Sequence, residues 1–192
     1  DLGRLRHTGY RSVFSDMPSF PLRTYVVGGG TWVEEFAVLH GVPPPLYGVH
    51  FNAINTLGMG RLAGRIAPAL TDIGYKTKTF SITDRAFYGG ESMHKSLGIR
   101  EYFANDDRSD SGDKSLGYAD ANILNDVLQK LKYETAPAFV FVTTQVNHSP
   151  HEKEYGNKEV FGVGFSKKQA NIIREYKERE VIFVETMRSF LR

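Results

Sequence analysis

Arg23-Thr24-Tyr25-Val26-Val27-Gly28-Gly29-Gly30-Thr31-Trp32-Val33-Glu34-Glu35-Phe36-Ala37-Val38-Leu39-His40-Gly41 is the stretch that decides how this chain folds. Residues 23–27 are β-branched and aromatic and run into three glycines, which predicts a strand entering a tight turn. From Thr31 the apolar positions 32, 33, 36, 37 and 39 repeat at helical spacing, and Gly41 ahead of Pro43, Pro44 and Pro45 marks the stop. Strand, glycine turn and short helix in that order are the opening of an α/β unit.

The pattern repeats downstream. Pro68 suits the first turn of a helix running to Gly74, and Tyr75 to Ile82 (YKTKTFSI) follows as a β-rich, partly alternating strand. Residues 105–117 (NDDRSDSGDKSLG) are dense in Asp, Ser and Gly and read as a surface loop, whose spacing fails the EF-hand pattern for calcium. Asp120 to Leu131 places Ile123, Leu124, Val127, Leu128 and Leu131 on one helical face. Ala138 to Val146 (AFVFVTTQV) is the clearest strand, and its nearly unbroken apolar start predicts burial on both faces, as in a parallel sheet. Ser166 and Gln169 form a capping box for a long last helix. Strands alternate with helices throughout, so the expected fold is α/β, a layered α/β/α sandwich with a mostly parallel sheet, in one piece over residues 1–192.

Composition narrows the function. The 192 residues, 41% hydrophobic and 24% charged, suffice for a real core, and thirteen Phe and ten Tyr add buried area or line a pocket. The 24 basic and 22 acidic residues are interleaved, which makes nucleic acid a poor partner. The absence of cysteine excludes disulfides and thiolate metal sites. No apolar run spans a bilayer and the start lacks a signal-peptide layout, so the segment itself is expected to be soluble. It begins without Met and stops at Arg192 inside a helical pattern, which reads as a domain cut at both ends, with any membrane anchor outside it.

Chemistry concentrates at strand ends. Unpaired N–H groups and the helix dipole behind the glycine run 28–30 favour an anion such as a phosphate or sulfate ester, and Thr31 opens that helix. A Thr hydroxyl beside a bound cation becomes a nucleophile. The same residues, Thr31-Trp32-Val33-Glu34, also spell a T-x-x-E capping box that closes helix starts without any catalysis. His148 follows the apolar strand and sits where ligands gather beyond the carboxyl ends of a parallel sheet, within reach of the crevice expected for Thr31; as a lone His it also fits an ordinary turn. Asp84 and Arg85 follow the strand ending at Ile82; Arg85 carries donors for an ester oxyanion, and an exposed ion pair is the plainer reading of the two.

Three strings in order, GGGTWVEEFAVLHGVPP (28–44), GYKTKTFSITDRAFYGGESMHKSLGIREYF (74–103) and FVFVTTQVNHSP (139–150), resemble the sulfatase-fold domain of phosphoglycerol transferases of the lipoteichoic acid synthase type, within the sulfatase and alkaline phosphatase superfamily. The resemblance implies a membrane-anchored, extracytoplasmic enzyme, periplasmic or on the cell surface, that acts on a phosphate or sulfate ester of a lipid head group or glycan. It makes Thr31 the nucleophile and a metal ligand and His148 a substrate-binding residue; by their positions beside these, Trp32 is expected to shape the pocket and Asp84 with Arg85 to be outer substrate contacts. It implies a divalent metal, Mn2+, Mg2+, Ca2+ or Zn2+, in the full-length protein. A Glu-Ser strand before Thr31 and an Asp-His-Gly after His148 do not occur here, so the remaining metal ligands are expected outside this chain and the fragment is expected to be inactive. Ser81, Tyr88 and Gly90 stand where the synthases carry His, Trp and Arg, a departure at the substrate end of the site. The alternative is a non-catalytic relative that keeps the fold to bind a glycan or a partner after losing its metal site. A nucleotide-binding domain fits less well, since no G-x-G-x-x-G or G-K-[ST] pattern is present.

Overall fold

The computed structural model describes residues 16, 18, 31–41, 65–108, 116–148, 150–151 and 166–191. The strand expected at 23–27, the glycine run 28–30 and most of the polar loop lie outside the described residues. Contacts divide the chain into two compact units, one of residues 21–111 and 127–143 and the other of residues 1–20, 112–126 and 144–192.

The first unit is an open parallel sheet of three strands in the order β2-β1-β3, with β1 Lys76–Ser81, β2 Glu101–Phe103 and β3 Ala138–Thr143. Helix α1 (Thr31–His40) starts and stops where the apolar spacing places it. It buries Val33, Phe36, Leu39 and His40, one stripe of the helix, while Val38 stays exposed. Gly41 ends it with φ 79°, its N–H donating to the Ala37 carbonyl at 2.8 Å, a left-handed cap that glycine adopts without a Cβ penalty. Helix α2 (Ile66–Asp72) carries Pro68 in its first turn, where no N–H is needed, and Gly74 at φ 95° turns the chain into β1.

Helix α3 (Gly90–Ser96) precedes β2, an element the sequence pattern did not single out. Phe36 and Leu39 of α1, Ala67 of α2, Met93 of α3, Leu97 and Ile99 form the core on one face of the sheet, with Trp32, Phe139 and Phe141 packed against it. Gly98 locks the corner between α2 and α3: its φ is 97°, and a Cβ there would stand 2.5 Å from the Pro68 ring.

The strand expected over Tyr75 to Ile82 forms as β1, and although Lys and Thr alternate along it, it is central and every residue after Lys76 is buried. Lys78 tolerates this because its ammonium reaches Glu101 at 2.6 Å and Glu134 at 3.1 Å. Burial opposes the charge, but those two carboxylates outweigh it and raise the Lys78 pKa. The apolar β3, expected to be buried on both faces, is only half-buried along its length and pairs with β1 alone among the described strands.

Helix α4 (Leu116–Leu131) starts at Leu116, ahead of the Asp120 start expected from the apolar face. In the second unit α5 (Lys167–Phe190) opens on the expected capping box: the Gln169 N–H donates to Ser166 Oγ and the Ser166 N–H to Gln169 Oε1. Val184 and Glu175 are its buried residues, whereas Val181 and, at the C-cap, Leu191 are exposed. Among the described residues no helix is long and apolar enough to cross a membrane.

Candidate active site

Thr31 is the first residue of α1, so the backbone N–H groups that point out of the head of that helix belong to Thr31 and the residues that follow it. As the first helical residue it stands one position inside the N-cap that the T-x-x-E box requires, and Glu34 Oε1 is buried without a hydrogen-bond partner among the described residues. Trp32, next along, is half-buried against the core cluster.

One turn below Thr31, Glu35 ties α1 to the sheet. Its carboxylate accepts from Thr143 Oγ1 at 3.3 Å, at the carboxyl end of β3, and meets His94 Nε2 at 3.3 Å. A carboxylate only accepts, so the proton lies on Nε2, and in the neutral ring Nδ1 then accepts from the Thr79 hydroxyl at 3.0 Å. His94 is 1% exposed and its ring is flanked by Tyr102 and Phe141, with centroids at 5.4 and 5.5 Å. This network joins α1 to α3, β1 and β3. Only the spacing of Glu35, four residues after Thr31 and thus on the same helical face, signalled it in the sequence.

Asp84 and Arg85 lie in the turn that leaves β1. The Arg85 guanidinium donates to Glu91 at 2.6 Å, to the Tyr102 carbonyl at 3.4 Å and to Asp107, while the Arg85 N–H donates to Asp106 at 3.1 Å. Asp84 accepts from the Asn105 amide at 3.0 Å. The Ala104 N–H, followed by the Arg85 guanidinium, holds the Asp107 carboxyl below its ordinary pKa. Arg85 is therefore the hub joining the rims of β1 and β2, with its donors directed at carboxylates of the protein. Just beyond, Tyr88 holds φ 50°, unusual for a non-glycine residue, and its ring lies 4.3 Å from that of Phe87, both exposed.

Two of the three positions where the synthases differ, Ser81 and Gly90, meet at one side chain. The Tyr102 hydroxyl is hydrogen-bonded to Ser81 and stands 2.8 Å from where a Cβ on Gly90 would be. Burial pushes the Tyr102 phenol above its usual pKa, so the side chain keeps its proton and presents a hydroxyl beside that of Ser81.

His148 belongs to the second unit, apart from the unit that holds Thr31, Trp32, Asp84 and Arg85. It is exposed, in a turn closed by its own N–H donating to the Gln145 carbonyl at 2.8 Å. Asp120, 1% exposed, accepts from the N–H groups of Gln145 at 2.8 Å and Val146 at 3.0 Å. Burial raises the Asp120 pKa and those two bonds pull it back. From α5, Arg179 donates to the carbonyls of His148 at 2.6 Å, Pro150 at 2.9 Å and Val146 at 3.5 Å, and is paired with Glu175. His151 beside it has its pKa lowered by burial and then by Arg179. Neither Asp120 nor Arg179 stands out in the sequence, where each is one charge on an amphipathic helix.

Among the described residues no three His, Cys, Asp or Glu side chains lie together in a way that holds a metal ion, so the described donors do not fit a divalent cation site.

The chain belongs to the sulfatase family, whose model matches residues 22–184. Its fold is similar to that of the lipoteichoic acid synthase LtaP from Listeria monocytogenes, at a TM-score of 0.66 and 18% identity, over 88% of this chain and 40% of that one. A protein of the alkaline phosphatase superfamily from Vibrio parahaemolyticus is similar at a TM-score of 0.53 and 20% identity, over 79% of this chain and 37% of that one. The chain thus spans about two fifths of the length of these structures. No curated protein sequence matches it.

Proposed function

We propose that this chain is the nucleophile-bearing part of a sulfatase-family phosphotransferase or hydrolase that acts on a phosphate or sulfate ester of the cell envelope. The observation that carries the reading is that α1 begins at Thr31 itself, behind the glycine run 28–30, in a chain of this family. A helix start of this kind stabilises an anion and sets its first side chain beside it.

In the proposed reaction the Thr31 oxygen bonds to the phosphorus or sulfur of the ester and gives up its proton to solvent. The bond to the leaving alcohol breaks with its electron pair, and His148 supplies that oxygen with a proton. An acceptor hydroxyl or water then bonds to the phosphorus or sulfur as the bond to Thr31 breaks; its proton goes to solvent, from which the threonine oxygen and His148 are reprotonated. Trp32 shapes the pocket wall, and Asp84 and Arg85 act at the outer rim, where Arg85 holds the turn after β1 in place. Convergence of Thr31 and His148 on one substrate is part of the proposal. So are a divalent metal with its ligands outside residues 1–192, a membrane anchor and an extracytoplasmic location.

The hydroxyl-lined corner of Ser81, Tyr102 and Gly90 favours a transferred group other than phosphoglycerol, because the cationic positions of the synthases are absent from it. The test is turnover of bis(4-nitrophenyl) phosphate and 4-nitrophenyl sulfate by the full-length protein with added Mn2+, with mass spectrometry of the peptide containing Thr31. A Thr31→Ala variant is expected to lose about a thousandfold in kcat and the covalent adduct with it. Normal turnover by that variant refutes the nucleophile, and a folded full-length protein without turnover of either ester favours the non-catalytic binding module.

A further inference from the structure

Arg179 lies on α5, and the fork of its guanidinium faces the backbone of the turn that carries His148. Its three carbonyl acceptors come from Val146, His148 and Pro150, alternate residues along one strip of chain. The side chain is 12% exposed, and Glu175, one helical turn earlier and 8% exposed, holds its charge and direction. On the amide side of the same strip, Asp120 accepts from Gln145 and Val146. Donors are thus met by a carboxylate from α4 and acceptors by a guanidinium from α5, so both polar edges of this irregular segment are occupied by charged groups.

We infer that Arg179 is a positioning residue that sets the place of His148 through the backbone, an inference that rests on the reading of His148 as a substrate contact. Five N–H donors fixed in one plane meet several carbonyls at set angles, which a lysine ammonium on a flexible stem does not reproduce. Charge-assisted bonds to the carbonyls of Val146, His148 and Pro150 fix the segment on either side of the imidazole. Asp120 resists sliding in the opposite sense, so removal of either clamp frees the turn in part.

The experiment uses the full-length protein and compares Arg179→Met, Arg179→Lys, His148→Ala and the double variant Arg179→Met/His148→Ala. Amide exchange is expected to quicken in Arg179→Met over residues 145–148 and to stay unchanged over β1. KM for the chromogenic ester, whose 4-nitrophenolate leaves without a proton donor, is expected to rise about tenfold with kcat within about twofold, and Arg179→Lys to recover part of the loss. The double variant is expected to do no worse than His148→Ala alone, since a residue that acts only through His148 has nothing left to position. Unchanged exchange in the turn, or losses that multiply in the double variant, overturns the inference and leaves His148 as a substrate contact. Wild-type kinetics in His148→Ala instead removes the substrate reading and the positioning role with it. Should Arg179→Met fail to fold, Arg179→Lys and Asp120→Asn loosen the same turn from its two sides, and the same rules decide.

Discussion

Strands β1 and β3 invert what their sequences suggest. Lys76-Thr77-Lys78-Thr79-Phe80-Ser81 is the polar strand, yet it runs through the middle of the sheet and is buried from Thr77 onward. Ala138-Phe139-Val140-Phe141-Val142-Thr143 is the apolar strand, yet every residue keeps part of its surface exposed. What separates them is partnership. In β1 the polar groups are answered one by one: Thr79 by His94, Ser81 by Thr83 and Tyr102, Lys78 by two glutamates. A strand can be central without being greasy, provided each buried donor finds an acceptor.

Three substitutions press on that contrast. Phe80 is 1% exposed and stacks on Phe103 at 4.7 Å, so Phe80→Ala is expected to cost about 4 kcal/mol, the largest loss, read by urea denaturation. Lys78→Met leaves Glu134 and the more exposed Glu101 without their cation, and about 2 kcal/mol is expected in the same assay, below the full penalty for breaking a buried pair. Its pH dependence sharpens the point. The folded Lys78 pKa is raised, so its contribution is fully present below the ordinary lysine pKa and is lost as pH rises through the folded value. The gap in Tm between wild type and Lys78→Met should therefore close at strongly alkaline pH; a gap that is constant with pH would show that the ion pairs are not its source. Val140→Ala, in the half-exposed β3, should cost only about 1 kcal/mol. A loss in β3 equal to that of Phe80→Ala would erase the contrast.

Much of this fold was legible from local signals that act over a few residues. The start of α1 behind its glycines, its stop at Gly41, the turn at Gly74 and the box of Ser166 and Gln169 each depend on a rule that operates within one helical turn. Strand β2 was not legible because Glu101-Tyr102-Phe103 is too short to carry a period, and α3 follows a turn with φ values no pattern encodes. Sheet order was hidden too, since it comes from pairing across long separations in the chain.

At the candidate site the same division holds. Thr31 is visible because a glycine run and a helix start are neighbours in sequence, and His148 because it ends an obvious strand. Glu35, His94, Asp120 and Arg179 are not visible, because they act on residues far along the chain. Arg85 was read as a donor for an incoming anion, and its geometry adds a structural role, since its guanidinium grips Glu91 and Asp107.

Gly90 and Tyr102 also constrain the order in which this corner changes by mutation. Because the phenol lies 2.8 Å from where the first side-chain carbon at position 90 would stand, arginine introduced there alone collides with a buried aromatic ring, whereas trimming Tyr102 first opens the space. Of the two orders in which a glycine gives way to an arginine at this place, the one that alters the tyrosine beforehand passes through a cavity and the other through a clash, and laboratory evolution toward a cationic corner is expected to favour the cavity.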